Sequence, residues 1–277
     1  SELAVAAIAF GSWESARDTL ETIAGLEPSV LELIDGGMFE SALAQGKKYA
    51  FYEDASEAGA TNAVLLVGFD DSSERHRNKR LKKLAKLLDQ TDAFVSFGAD
   101  STSAEALLAL RDVTSVIVTP EGATGSTPPL VDGAYIPFNR FEDFMTSLEA
   151  LGKKYHLVLP IYGRVLDNTY HVRPTFQLSK VTDRQKIIKF TDEYARLVAS
   201  HGGHLIGDGG EGRFKAPFAA KDIDDDLTQV FDGVRSVFDP MGTMNTGVKQ
   251  VADLKSIVAL LRKEYDLAHL ANFSPTN

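Results

Sequence analysis

The sequence predicts an α+β fold, in which two ferredoxin-like units are arranged around one antiparallel sheet flanked by helices. Short apolar runs of strand length alternate along the chain with longer amphipathic runs of helical spacing. Each half of the chain can be divided in the order β-α-β, β-α-β, which is the order of a ferredoxin-like unit. The 277 residues are 44% hydrophobic and 25% charged, a balance typical of a globular chain with a large core.

The first half, about residues 1–119, shows clear signals for strands and for helix starts. Ser12 is a candidate N-cap for the first helix, and Thr102 with Glu105 forms a capping-box pattern. The predicted helices cover about 12–26, 72–89 and 102–112, and the predicted strands are Leu3–Phe10, Ser29–Asp35, Asn62–Phe69 and Asp92–Phe97.

The second half, about residues 130–249, repeats this order after a Gly- and Pro-rich loop at Pro120–Pro129. Asn139 with Glu142 and Thr182 with Gln185 again suggest capping boxes. The predicted helices cover about 139–154, 182–201 and 222–238, and the predicted strands are Val131–Ile136, His156–Tyr162, Asn168–Phe176 and His204–Ile206. Residues 250–277 have apolar residues at helical spacing, which predicts a helical tail.

Composition excludes several classes of function. A net charge of −10 argues against a nucleic-acid partner. The absence of cysteine excludes disulfides, thiol catalysis, Cys-bound zinc and iron–sulfur clusters within this chain. No apolar run is long enough to span a bilayer, and no signal peptide is visible, so we expect a cytoplasmic protein. The chain enters an apolar strand at Leu3, from which we expect a fragment of a longer protein.

The run Arg75–Lys86 forms a dense basic helix within this acidic protein. A solvated helix face is the simpler interpretation of such a charge run. Peripheral contact with an anionic membrane, or with an acidic partner, is the alternative.

Two glycine-containing segments carry the strongest functional signal. Gly207, Gly209 and Gly212 satisfy G-x-G-x-x-G, but no helix is predicted directly after them, which excludes the dinucleotide-binding motif. Either they let the backbone approach a flat ligand or another backbone, or they form a bulged turn at a strand end. Residues 238–249 form a predicted tight turn around Asn245, whose amide offers both a donor and an acceptor.

These two segments, GGHLIGDGGEGRFKAPF and FDPMGTMNTGVK, resemble the C-terminal, substrate-side (cap) domain of the FAD-linked oxidases. D-lactate dehydrogenases, the flavin subunit of glycolate oxidase and D-2-hydroxyglutarate dehydrogenase are members of that family. The opening AIAFGSWESARDTLETIAGLEPSVLELID and the central VDGAYIPFNRFEDFMTSLEALGKKYHLVLPIYG are also similar to it. The resemblance implies one cap domain over residues 1–249, with FAD held mainly by an N-terminal FAD-binding domain that this chain lacks and that is its expected partner.

The resemblance also implies where a metal and a base would lie. Metal-dependent members carry two His and one Glu as ligands, followed by a His that acts as the base. Here Arg164 stands at the first ligand, His171 keeps the second, Asp208 replaces the Glu and Gly209 replaces the base. Two ligands and a nearby guanidinium do not suit a catalytic zinc, so we expect no metal. We expect His171 to transfer the proton and Arg164 to bind an anion, with Asp208 as the third catalytic residue.

The remaining candidate residues are assigned to the flavin and to the substrate. The resemblance places Asn245 at the flavin side, together with Gly207, Gly209 and Gly210. Arg111, Arg213 and Lys215 are candidates for binding a small anionic substrate, although an exposed basic pair is the simpler interpretation of the last two. The glycine run and the Asn245 turn are therefore expected to share one open surface.

The resemblance implies a flavoenzyme that oxidises a small 2-hydroxy acid such as D-lactate or glycolate, with hydride transfer to the flavin. This chain alone is expected to be inactive. Two alternatives remain open: a non-catalytic binding or assembly module of the same fold, and a metal-free flavin oxidase that acts on another alcohol.

Overall fold

A computed structural model of the chain describes residues 3–44, 46–115, 127–250 and 254–261. These residues form two compact units. The first unit holds the described residues up to 127 together with 160–168, and the second holds residues 128–159 and the described residues from 169 onward. Among the described helices, none is both long enough and apolar enough to cross a membrane.

The first unit is built on five strands in the order β4-β1-β3-β2-β6, and each neighbouring pair is antiparallel. The strands are β1 Ala4–Phe10, β2 Val30–Asp35, β3 Ala63–Phe69, β4 Phe94–Gly98 and β6 Ile161–Arg164. The order of the first four strands is that of a ferredoxin-like unit, which confirms the predicted α+β class. Every residue of β1 and β3 is buried, because helices cover both faces of these strands. Their sequences are therefore continuous apolar runs.

The helices of the first unit include two that the sequence did not predict. The helices are α1 Trp13–Ala24, α2 Gly36–Leu43, α3 Ala50–Glu57, α4 Glu74–Leu88 and α5 Ser101–Leu108, followed by a 3-10 turn at Ala109–Ser115. Ser12 caps α1 as predicted, accepting a hydrogen bond from the Ser15 amide at 3.1 Å. Asp35 caps α2, so the Gly36–Gly37 pair starts a helix there. At Gly36 a Cβ atom would lie 1.6 Å from the Thr61 carbonyl oxygen, so only glycine fits.

The second unit pairs β5 Val131–Tyr135 with β7 Thr169–Val172 in antiparallel orientation. A single bridge joins Tyr135 to His204. The helices are α6 Phe141–Tyr155, α7 Val181–Ser200, α8 Ala216–Ala219, α9 Asp225–Phe238 and α10 Leu254–Leu260. Fully buried aromatic rings on α6, α7 and β7 form the centre of the unit: Phe144, Phe190, Tyr194 and Tyr170.

Several predicted boundaries were wrong. The box that caps α5 is formed by Asp100 and Ser103, whereas α6 and α7 begin without any side-chain cap. Strand β6 starts at Ile161, because His156 ends α6 in a left-handed conformation with φ of 53°. The predicted strand Asn168–Phe176 shortens to Thr169–Val172, and His204–Ile206 makes only one bridge. Residues 116–126 and 262–277, with most of the predicted loop and tail, lie outside the described residues.

Asp35 makes the stability of the first unit depend on pH. Burial raises its pKa to about 6, although the hydrogen bonds that it accepts from the backbone of Gly37 and Ile161 act to lower the pKa. Between the unfolded pKa of about 4 and pH 6, the folded chain binds more protons, so the free energy of unfolding falls as pH rises. We expect Asp35→Asn, which can still cap α2, to be about 1–2 kcal/mol more stable than the parent at pH 7.5.

Urea unfolding at pH 7.5 and pH 5 measures this effect. The gap between parent and Asp35→Asn should narrow at the lower pH, where Asp35 is mostly protonated. Asp225→Asn, an exposed carboxylate at the start of α9, is the control and should shift stability little at either pH. An equal gap at both values would contradict a titrating Asp35.

Candidate functional site

A cluster of charged side chains lies between strands β5 and β7 of the second unit. Val131 and Val172 are register partners, which brings Asp132 next to His171 and Arg173. Because His171 and Arg173 are two positions apart, they point to the same side. His171 Nδ1 lies 4.0 Å from Asp132 Oδ2, and His171 Nε2 lies 3.6 Å from Asp208 Oδ2. The imidazole, whose side chain is 13% exposed, is thus held between two carboxylates.

Asp132 is the centre of this cluster. Its Oδ1 lies 3.0 Å from Arg173 Nε, and its carbonyl oxygen accepts a hydrogen bond of 2.6 Å from Lys215 Nζ. Burial raises the pKa of Asp132, and the positive charges of Arg173 and Lys215 oppose that rise. Burial lowers the pKa of Lys215, and the negative charge of Asp132 opposes that decrease. The two cations therefore help to keep a buried carboxylate beside His171.

Glycines bring Asp208 into the cluster. The amides of Gly207 and Asp208 both donate to the Gly133 carbonyl oxygen, at 2.5 Å and 2.9 Å. Gly133 has a φ of 78°, and a Cβ atom there would lie 2.5 Å from the Asp208 carbonyl oxygen. A Cβ atom on Gly207 would lie 2.6 Å from the Tyr135 amide nitrogen. Close approach to another backbone is therefore the physical reason for Gly207, and it sets Asp208 beside His171.

The turn around Asn245 lies against the other end of the glycine run. Asp239 accepts hydrogen bonds from the amides of Thr243 and Met244, at 2.8 Å and 2.9 Å, which hold its pKa below the usual range. Arg213 Nη2 donates to the Thr246 carbonyl oxygen at 2.6 Å. In addition, the Lys249 amide donates to the Gly212 carbonyl oxygen at 2.8 Å. The two segments that the sequence singled out thus meet within one unit.

The surface formed by these segments is open. Gly209 and Gly212 have positive φ angles of 75° and 59°, and a Cβ atom on either would have no other atom within 4 Å. A Cβ atom on Gly210 would meet only Lys249 Cε, at 3.8 Å. Asn245 is exposed, with a φ of 48°. Exposed backbone and an amide side chain are groups that an isoalloxazine ring can lie against and hydrogen-bond, so these residues fit a flavin.

Two further candidate residues lie in the first unit. Arg111 Nε lies 2.7 Å from Glu32 Oε2, and Arg164 Nε lies 2.7 Å from Asp167 Oδ2. Glu32 on β2 is the register partner of Arg164 on β6. The side chains of Arg111 and Arg164 are 39% and 46% exposed. The two guanidinium groups are therefore accessible at the surface of this unit.

One candidate residue has a different setting from the expected one, and two residues were missed. Lys215 is only 8% exposed and binds the Asp132 carbonyl oxygen, so it does not form an exposed basic pair with Arg213. Asp132 and Arg173 were not identified from the sequence. Arg173 could have been identified because it lies two residues after His171, on the same side of the strand. Asp132 could have been identified because it is a charged residue within an apolar strand.

Within the described ranges, no three His, Cys, Asp or Glu side chains are grouped so that they could hold a metal ion. The positive charges that act on Asp132 are those of Arg173 and Lys215.

Curated relatives with recognisable sequence similarity are oxidoreductases. D-lactate dehydrogenase of Anaerostipes hadrus is 21% identical over 244 residues, which is 85% of this chain and 50% of that protein. D-2-hydroxyglutarate dehydrogenase of Haemophilus influenzae is 22% identical over 213 residues, or 73% of this chain and 21% of that protein. Glycolate oxidase subunit GlcD of Bacillus subtilis is 21% identical over 216 residues, which is 76% of this chain and 44% of that protein. The chain thus spans half or less of the curated relatives it matches.

Solved structures share the fold at low sequence identity. 4-Ethylphenol oxidase of Gulosibacter chungangensis superposes with a TM-score of 0.59 at 13% identity, over 90% of this chain and 54% of that one. p-Cresol methylhydroxylase gives a TM-score of 0.58 at 9% identity, over 91% of this chain and 53% of that one. Residues 1–248 match the sequence model of the FAD linked oxidases, C-terminal domain, and the chain therefore belongs to this family.

Proposed function

We propose that this chain is the substrate-side domain of an FAD-dependent enzyme that oxidises a small 2-hydroxy acid of the D-lactate or glycolate type. The observation that carries the proposal is His171, held between Asp132 and Asp208 in the same unit as the surface that fits a flavin. The names of the curated relatives support the substrate class. An FAD-binding domain is the expected partner and supplies most of the FAD site.

His171 is the proposed base. A neutral imidazole carries a proton on one ring nitrogen, and the other nitrogen can accept the proton of the substrate hydroxyl. Asp208 beside Nε2 then stabilises the imidazolium that forms. FAD, when bound, supplies the acceptor for the hydride from the substrate α-carbon.

Arg111 and Arg164 are proposed anion-binding residues of the first unit. Both are accessible, and each already lies against a carboxylate of its own unit. A guanidinium has five N–H donors, more than one carboxylate uses, so each can bind a second anion. In this proposal Lys215 does not contact the substrate, because it is only 8% exposed and its Nζ donates to the Asp132 carbonyl oxygen. Arg213 is exposed, and its other N–H donors keep it a candidate for binding the substrate anion.

Anaerobic reduction of the flavin tests the proposal. The polypeptide that contains both this chain and its FAD-binding domain would be mixed with D-lactate, glycolate or D-2-hydroxyglutarate, and bleaching of the flavin absorbance would be followed. We expect at least one acid to reduce the flavin, and we expect treatment with a chelator to leave the rate unchanged. The absence of bleaching with all three would favour the alternatives: a non-catalytic module, or an oxidase acting on another alcohol.

The exposed face of α4 supports a second proposal, which is peripheral contact with an anionic membrane. Within the basic run, six side chains are exposed to solvent. Five of them are cationic, namely Arg75, Lys79, Lys82, Lys83 and Lys86, and the sixth is His76. Arg77 and Arg80 turn inward, and each donates to a backbone carbonyl oxygen. The outer face is therefore a positive surface on a chain of net charge −10, and it would orient the protein on negative lipid.

Vesicle co-sedimentation measures this contact. Because each basic residue near anionic lipid contributes on the order of 1 kcal/mol, Lys82→Glu should weaken binding to phosphatidylserine vesicles at least about threefold at low salt. The matched control is Lys153→Glu, which reverses one exposed lysine outside α4 and should change binding much less. Equal binding to neutral vesicles, or equal loss with both variants, would argue for a merely solvated helix face.

A further inference from the structure

A cavity in the first unit lies beside helix α5 and the start of α3. Its volume is about 530 Å³, within the range of roughly 300–1,000 Å³ that is typical of small-molecule sites. Its lining comes from three segments: residues 46–54, strand β4, and α5 with the 3-10 turn that follows it. All three belong to the first unit, whereas His171 belongs to the second. The proposed function therefore does not use this cavity.

Part of the cavity lining is apolar. Phe94 on β4 is the register partner of Ala9, which packs in one core cluster with residues of α2, α3 and α5. Directly opposite residues in an antiparallel pair point to the same face of the sheet, so Phe94 points to the face that these helices cover. Its ring lies 5.5 Å from the ring of Phe51 on α3, and Leu107 and Leu110 complete the apolar lining. This lining suits an apolar group of a ligand.

Charged side chains of both signs line the same cavity. They are Lys47 and Lys48 before α3, Asp54 on α3 and Asp112 on the 3-10 turn. Within the part of the chain that the structure describes, none of these four side chains forms an ion pair or a hydrogen bond. The positive and negative charges are equal in number, and both signs are available to a ligand.

Tyr49 adds a hydroxyl group to this lining. Its ring packs edge-on against Phe39, with the ring centroids 5.3 Å apart. Burial raises the pKa of Tyr49 to about 12, and the negative charge of Asp112 adds to the rise. The hydroxyl group therefore keeps its proton at neutral pH and can donate a hydrogen bond to an anionic group of a ligand.

We propose that this cavity binds a free amino acid with an apolar side chain. The carboxylate of the ligand pairs with Lys47 and accepts a hydrogen bond from the Tyr49 hydroxyl. Its ammonium group pairs with Asp112, and its side chain packs on Phe51 and Phe94. Hydrogen bonds between charged groups are roughly twice as strong as those between neutral groups, so the two charged ends of the ligand provide the specificity.

A ligand with only one charge fits the same lining less well. A carboxylate without an ammonium group would leave Asp54 and Asp112 without a partner. An amine without a carboxylate would leave Lys47 and Lys48 in the same position. A charge that is withdrawn from water without a partner weakens binding, and a ligand that carries both charges avoids this cost.

Isothermal titration calorimetry of the 277-residue chain tests the proposal, and neither flavin nor a 2-hydroxy acid is needed. The probes are L-phenylalanine and L-leucine. We expect at least one of them to bind at one molecule per chain with a dissociation constant below about 1 mM. Phenylpropanoate lacks the ammonium group of phenylalanine, and phenethylamine lacks its carboxylate. Each should bind at least about tenfold more weakly than L-phenylalanine.

Charge variants locate the binding of the tighter probe. Lys47→Met and Asp112→Asn should each weaken it at least about tenfold, because each removes a charged partner of the ligand. Lys153→Met and Asp225→Asn are the matched controls, since they remove exposed charges of the second unit. They should leave the dissociation constant within about twofold of the parent value.

A variant that fills the cavity gives a second test. Ala106→Trp, on α5 and in the lining, places an indole ring in the cavity and should abolish binding. Thr102→Trp places the same ring at an exposed position of α5 outside the lining and should leave binding unchanged. Circular dichroism checks that each variant is folded. Failure of both amino acids to bind, equal binding of phenylpropanoate, or full binding by Ala106→Trp would overturn the proposal.

Discussion

Replacing His171 with Asn is expected to slow reduction of the flavin by substrate at least 100-fold in the two-domain polypeptide. General-base catalysis by a positioned histidine contributes about 10²–10⁴-fold, and the amide of Asn cannot accept the hydroxyl proton near neutral pH. The side chain of Asn still fits between Asp132 and Asp208, which flank His171 at 4.0 Å and 3.6 Å. We therefore expect flavin content and unfolding temperature to change little. Stopped-flow absorbance of the flavin under anaerobic conditions measures the rate.

His204→Asn is the matched control for this result. His204 lies in the same unit, bridges Tyr135 through its backbone and has an exposed side chain. His204→Asn should leave the rate of flavin reduction within about twofold of the parent rate. That change is much smaller than the change expected on removal of a general base. If His171→Asn keeps more than one tenth of the parent rate, His171 is not the base and the site must transfer the proton through another group.

Arg173→Met is expected to destabilise the second unit by about 3 kcal/mol, because it leaves Asp132 without its guanidinium partner. Arg173 and Asp132 have side chains only 10% and 20% exposed, and their charged atoms lie 3.0 Å apart. Removing one member of such a pair leaves a charge away from water. Urea unfolding of the 277-residue chain at pH 7.5 measures the loss.

Two comparisons isolate the cause of that loss. Arg140→Met removes a solvent-exposed ion pair with Asp143 on α6, whose side chains are 46% and 64% exposed, and should cost no more than about 0.5 kcal/mol. Adding Asp132→Asn to Arg173→Met removes the stranded charge and should recover roughly half of the loss. No recovery in the double variant would show that the packing of the Arg173 stem, rather than its charge, carries the stability.

The class of fold and the first helix start were predictable because they depend on local signals. The apolar runs around β1 and β3 are long and uninterrupted, and Ser12 has the side chain that a helix start requires. The capping boxes at Asn139 and Thr182 failed, although their residue types were suitable. Helix α6 begins at the buried Phe141, and packing of an apolar face outweighs a single capping hydrogen bond. Helix α7 begins at Val181, which is exposed, so packing at its first residue does not explain that start.

Helices α2 and α3 were missed for a related reason. Gly36–Gly37 was interpreted as the end of a strand, because glycine is a poor helix former. The structure begins α2 there, since only a residue without a Cβ atom lets the helix start pass the Thr61 carbonyl oxygen. A contact between residues 25 positions apart leaves no mark in local sequence.

For the candidate site, the sequence by itself singled out His171, Asp208, the glycine run and the Asn245 turn as candidates. Their types and their order along the chain carry the resemblance to the FAD-linked oxidases. Only the tertiary structure decided that Asp132 and Arg173 join them, and that Lys215 turns inward to hold a backbone carbonyl oxygen. The physical reason is that a side chain's partners depend on strand register and on the close approach of distant backbone segments, as at Gly133 and Gly207.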